Sequence, residues 1–204
     1  MKYYILLLFS FTTLFSQNKI ALKTGDIIFQ KMNCGELCDA IHAVTDGYKN
    51  NDFSHLGLVY IKNDTTYIIE AAGNNVRMVL LEDFSKNTKT NMFVGRLKKK
   101  HQKLIPQAID FCLTQIGVAY DDEYLYNNDK YYCSELIYDA FLDAYKKPFF
   151  SLTPMTFKEP NSNTFFKVWV DYYSTLNTKI PEGELGCNPG GISKSNKLRI
   201  IGTL

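Results

Sequence analysis

Tyr131-Tyr132-Cys133-Ser134-Glu135-Leu136-Ile137-Tyr138-Asp139-Ala140-Phe141 is the stretch on which the reading of this chain turns. Downstream of the cysteine the apolar residues recur at helical spacing. Ile137, Ala140, Phe141 and Ala144 share the stripe of Cys133, whereas Glu135, Asp139 and Asp143 fall elsewhere. Just upstream, Asn127-Asn128-Asp129-Lys130 is a polar loop that ends any preceding helix. The spacing therefore predicts a helix with Cys133 in its first turn. Unpaired N–H groups and the helix dipole favour a thiolate there, which is the setting a cysteine nucleophile needs. A free cysteine on an apolar stripe is more often plain core, so the rest of the chain has to decide.

The 204 residues are 46% hydrophobic, enough for a real core in one globular domain, and the formal net charge of +2 argues against nucleic acid as a partner. The basic run Lys98-Lys99-Lys100 has no interleaved aromatics and reads as a solvated loop. Residues 1–17 read as a secretory signal peptide. Met1-Lys2 is the basic start, Tyr3 to Phe15 the apolar centre, and cleavage is expected near Ser16 or Gln17. The run is short for a membrane span of ~20 residues. The expectation is an exported protein, periplasmic or extracellular, with residues 18–204 as one domain.

Five cysteines are an odd number for that compartment and suggest one thiol kept free. With Cys133 in that role, Cys112 falls on the apolar stripe of its own predicted helix. Cys34 and Cys38, four apart, are open between a helix-turn pair, a disulfide and no relation, and Cys187 is unassigned. A zinc site at Cys34 and Cys38 is disfavoured because no second ligand pair of suitable spacing follows.

Taken in order, Gly25 to Gln30 reads as a short strand and Leu37 to Val44 as a short helix. Phe53 to Ile61 and Thr65 to Ala72 read as two strands closed by a turn at Lys62-Asn63-Asp64. Val76 to Leu81 and Asn91 to Leu97 are further strand candidates. His101 to Ile116 is a predicted helix with Pro106 in its first turn and Gly117 as its stop. From Ser151 onward the chain is richer in Pro, Asn, Ser and Gly and is expected to cover the domain as a tail. Within it Phe165 to Val170 is a hydrophobic island and Asn188-Pro189-Gly190-Gly191 a turn. The order gives an α+β fold, an antiparallel sheet packed against helices.

A nucleophilic thiol needs a base, and the base an orienter. Of the three histidines, His101 follows the lysine run and is expected to be exposed, and His42 is either surface or satisfied core. His55 opens a strand directly after a polar loop, where a side chain can face a cleft. If Asn63-Asp64 is a two-residue turn, Lys62 opposes Thr65 and Gly57 opposes Glu70. His55 and Glu70 then share a face one diagonal step apart, roughly 7–8 Å between backbones. Glu70 is the only acid in its apolar strand, and burying it unpaired would be costly. Pairing with His55 is the favoured reading, against a Glu at a strand end facing solvent.

These segments together, Gly25 to Gln30, Phe53 to Val59, Ile69-Glu70-Ala71 and Tyr131 to Leu136, resemble the circularly permuted papain-fold enzymes of the YiiX and YaeF type, relatives of the NlpC-type cell-wall peptidases. In NlpC-type enzymes the cysteine helix precedes the histidine strand, and here His55 comes first. Ile116 to Asp121 resembles the tyrosine-bearing loop before the nucleophile. The resemblance implies a circularly permuted papain-like fold with Cys133 as nucleophile, His55 as general base and Glu70 as orienter. Tyr120 would line the site or help bind the oxyanion, with the Cys133 backbone N–H as a second donor. It implies acyl transfer through a thioester with no cofactor and no metal, on a cell-wall peptide or an N-acyl compound, and possible association with the cell envelope. A lipid acyltransferase or lipase on the same residues is the second reading, and Phe53, Phe149, Phe150, Phe165, Phe166 and Trp169 are candidates for an acyl groove. A non-catalytic binding module is the third.

Overall fold

The structure, a computed structural model, describes residues 20–204; the expected signal peptide lies outside the described residues. Its centre is the hairpin of β2 (His55–Lys62) and β3 (Thr65–Ala72). Asn63 and Asp64 both adopt left-handed backbone, φ 50° and 60°, as a two-residue hairpin turn requires, and Lys62 faces Thr65. A second tight turn at Gly73-Asn74 returns the chain as β4 (Asn75–Leu80), so that Glu70 faces Arg77. On the other side β1 (Ile27–Gln30) pairs antiparallel with β2 and with β5 (Phe93–Leu97). The six-stranded order is β4-β3-β2-β1-β5-β8, with β8 (Leu198–Thr203) at the far edge.

Alternation sends the two faces to different neighbours. Ile27, Leu56, Leu58 and Ile69 pack with Ala108 and Cys112 of α3 (Ile105–Thr114) and Leu136, Ile137 and Phe141 of α4 (Cys133–Tyr145). Ile28, Val59 and Ile68 pack with Met92 and with Phe84 of α2 (Leu81–Ser85). Leu136 is fully buried, and truncating it to Ala costs about 2–5 kcal/mol. A Cβ at Gly57 would lie 2.3 Å from the Ile68 side chain, so close packing requires the glycine. Asp26, at the entrance of β1, clamps the sheet through two bonds of 2.7 Å from the Arg96 guanidinium.

Several elements differ from expectation. The helix expected from His101 begins as a 3-10 segment, Lys99–Leu104, and becomes α-helical only at Ile105, where Pro106 is tolerated in the first turn. α4 is not amphipathic in its first two turns: Glu135, placed off the apolar stripe, is fully buried. The tail is not merely a cover, because β8 completes the sheet. The hydrophobic island lies at the start of α5 (Lys167–Thr175), which packs on α1 (Glu36–Val44) through Ala40, Phe157, Trp169 and Tyr173. Beside it β6 (Thr153–Pro154) pairs with β7 (Leu185–Gly186). Asn188-Pro189-Gly190-Gly191 is not a plain turn. Asn188 Oδ1 accepts from Gly191 N at 2.7 Å and caps the short helix α6 (Pro189–Ser193).

Candidate active site

Cys133 is the first residue of α4, as the spacing implied, and is only 6% exposed. The turn that delivers it is held by two buried carboxyls. Asp121 accepts from the backbone N–H of Glu123 and Leu125 and from Asn128. Glu135 accepts from Asn127 N at 3.0 Å and reaches back to Tyr132 N at 3.4 Å, the return half of a capping box. Burial lifts the Glu135 carboxyl to about 8 despite those donors, with Asp121 and Asp139 adding like charge.

His55 Nε2 lies 2.5 Å from Glu70 Oε2. The Cys133 thiol lies beside the ring, close enough to raise its pKa, and itself donates to Ser54 O at 4.0 Å. Glu70 is fully buried, and its second oxygen accepts from Arg77 Nε at 2.9 Å and Nη2 at 2.8 Å. Burial alone would lower the imidazole's pKa. Hydrogen bonds to Cys133 and Glu70, and their charges, outweigh it and lift His55 to about 9. Burial likewise opposes ionisation of Glu70, but His55 and Arg77 hold it below the usual carboxylate range. The pair is charged at neutral pH, which puts an imidazolium beside the thiol.

Arg77 was missed at the sequence level, although the strand at Val76 and the Gly73-Asn74 turn together set it opposite Glu70. Gln30 was missed too. It is the cross-strand partner of His55 and wholly buried, and neither amide atom has a hydrogen-bond partner among the described residues.

Cys133 forms part of the wall of a pocket of about 210 Å³. Tyr120 lines it together with Tyr124, Tyr132 and Trp169. The Tyr120 and Tyr124 rings meet edge-on with centroids 6.4 Å apart, and burial raises both phenols, Tyr124 to about 12. Of the six aromatics considered for an acyl groove, only Trp169 lines this pocket; Phe53, Phe149 and Phe150 are buried in the main core. Ile41 and Val44 of α1, Thr45, Ser54, Ser134, residues 153–157 and Cys187 to Pro189 supply the rest. The wall is tied to the residues flanking the thiol: the Ser134 hydroxyl donates to Cys187 O at 2.9 Å, and Cys187 N donates to the Tyr132 hydroxyl at 3.1 Å.

The remaining candidates separate from this site. Cys34 and Cys38 form a disulfide, and Cys112 is fully buried with its thiol pushed up by desolvation. His101 is half-buried rather than exposed, its ring edge-on to Phe149 at 5.1 Å. His42 is half-buried, and among the described residues neither ring nitrogen has a partner, so it is not a satisfied core histidine there. Among the described residues no three His, Cys, Asp or Glu side chains gather as metal ligands.

A thiol at the start of a central helix, an antiparallel sheet that offers it an imidazole, and the strand before the helix in the chain define a papain-like fold in permuted order. Residues 21–202 match the permuted papain-like amidase enzymes of the YaeF/YiiX type, and the chain belongs to that family. It is 29% identical over 127 residues to protein YiiX of Escherichia coli K12, a match covering 60% of this chain and 58% of that protein. The fold is shared with the crystal structure of the metalloprotein yiiX from Escherichia coli O157:H7. The TM-score is 0.74 at 22% identity, over 89% of this chain and 97% of the other.

Proposed function

We propose that this chain is a cysteine amide hydrolase with Cys133 as nucleophile, His55 as general base and acid, and Glu70 as orienter, the last steadied by Arg77. The observation that supports it is the His55 ring, hydrogen-bonded at 2.5 Å to the buried Glu70 carboxylate and with the Cys133 thiol beside it. The thiolate attacks the amide carbon, an S–C bond forms, and the carbonyl oxygen becomes an oxyanion beside the N-terminus of α4. Tyr120, a protonated phenol on the pocket wall, is the side-chain donor for it. The C–N bond breaks as His55 gives its proton to the leaving amine. Water, deprotonated by His55, then attacks the thioester, the S–C bond breaks, and the acid product leaves with the thiolate–imidazolium pair restored.

Export belongs to the same proposal. The basic and apolar start of the sequence supports it, and so does the Cys34–Cys38 disulfide, a bond that persists in oxidising compartments. The test is intact-mass spectrometry after quenching with an activated acyl substrate. The expected adduct is one acyl group on Cys133 in the wild type and none in Cys133→Ala; an adduct at another residue refutes the assignment.

A further inference from the structure

The chemistry of the pocket beside Cys133 points to a substrate class. No Asp, Glu, Lys, Arg or His is among the described residues that line it, while Ile41, Val44, Met155, Phe157 and Trp169 give it an apolar wall. An ionised group carried into such a wall would lose its water and find no counter-ion. Its 210 Å³ is below the roughly 300 Å³ at which drug-sized sites begin.

The pocket is also fixed relative to the thiol. Tyr132 and Ser134, on either side of Cys133, each hold the backbone of Cys187 in the opposite wall. A group seated in it is therefore placed at a set distance from the nucleophile.

We infer that this pocket selects the acyl side of the substrate, and that the group it takes is a short, uncharged aliphatic acyl chain on an amide nitrogen. The inference rests on the amidase reading above and narrows it. Peptides with a carboxylate or an ammonium on the acyl side are poor substrates, and a long-chain lipid gains nothing from the carbons that overrun the pocket.

The probes are p-nitrophenyl acetate, hexanoate, dodecanoate and succinate. Each acylates Cys133 by forming the S–C bond and releasing p-nitrophenolate as the C–O bond breaks, so the burst rate reads the acyl side alone. Iodoacetamide, which carries no acyl group, reports separately on thiol reactivity. Hexanoate is expected to acylate on the order of tenfold or more faster than acetate or succinate, with no further gain for dodecanoate. Val44→Asp, which places a charge on the wall, and Met155→Trp, which fills it, are each expected to bring the hexanoate-to-acetate ratio close to one.

Equal rates for hexanoate and succinate, or a ratio that survives whichever of the two variants folds, overturns the inference even if Cys133 alkylates rapidly. A Cys133 inert to iodoacetamide overturns the amidase reading beneath it. The two failures are thus told apart.

Discussion

Two walls meet at Cys133, and they are built by opposite rules. On the sheet side, Arg77, Glu70 and His55 run across three neighbouring strands as charged groups, the His55–Glu70 pair buried and every link hydrogen-bonded. On the pocket side, α1, residues 153–157 and Trp169 present an uncharged, mainly apolar surface. The sheet side sets the charge on His55. The pocket side has no charged side chain to offer, so it can discriminate only by size and polarity. The difference teaches that chemistry and selectivity are separable here: substitutions in one wall should change rate, and those in the other should change preference.

The largest effect is expected from Glu70→Gln, which keeps the shape but loses the charge that holds the His55 proton. The acylation rate should fall by about 10³- to 10⁴-fold, as for other triads deprived of the orienting carboxylate. A stopped-flow burst assay checks this, and a fall of less than tenfold would make Glu70 a structural residue only.

Stability should show the same pair. The folded pKa of His55 is raised from 6.5 to about 9, so the folded state holds the proton more tightly than the unfolded chain. That contribution is fully present below about pH 6.5 and is lost as pH rises toward 9. Urea midpoints should therefore decline over that window in the wild type and flatten in His55→Ala. Glu70 works at the other end: its depressed pKa makes a contribution that is lost as the pH falls through it.

Arg77→Ala should be milder. Its side chain is 41% exposed, so water screens part of its interaction, while Glu70 keeps its bond to His55. A loss of about tenfold or less in kcat/KM is expected. The acid limb of the pH profile should move upward, because Glu70 loses one of the two cations that hold it ionised; an unmoved limb would remove Arg77 from the relay.

The smallest effect on chemistry is expected from opening the disulfide. Cys34→Ser with Cys38→Ser loosens the start of α1, a pocket-wall element, at a stability cost of about 2 kcal/mol in the chain-entropy model. Discrimination between hexanoate and acetate should weaken, while Cys133 alkylation stays within about twofold. A change in alkylation with discrimination intact would break the separation of the two walls.

The same contrast explains what the sequence disclosed. The sheet wall was legible because its geometry is local: the Asn63-Asp64 turn sets the register, and register sets His55 beside Glu70. Arg77 was within reach by the same argument applied to the Gly73-Asn74 turn. Cys133 at a helix start followed from spacing and the polar loop before it. The pocket wall was not legible, because residues 41–45, 153–157, 169 and 187–189 meet only through tertiary packing. The buried Glu135 was hidden for a related reason: its partners are loop N–H groups that no periodicity reveals. β8 escaped because its partner β5 lies about a hundred residues earlier in the chain.

The most direct test of the central claim, that Cys133 and His55 form a reactive ion pair, is the rate of Cys133 alkylation by iodoacetamide against pH, in wild type and His55→Ala. The account predicts alkylation that is fast at about pH 6 in the wild type and at least about tenfold slower at that pH in the variant. Profiles that coincide, slow at pH 6 in both proteins, would contradict it.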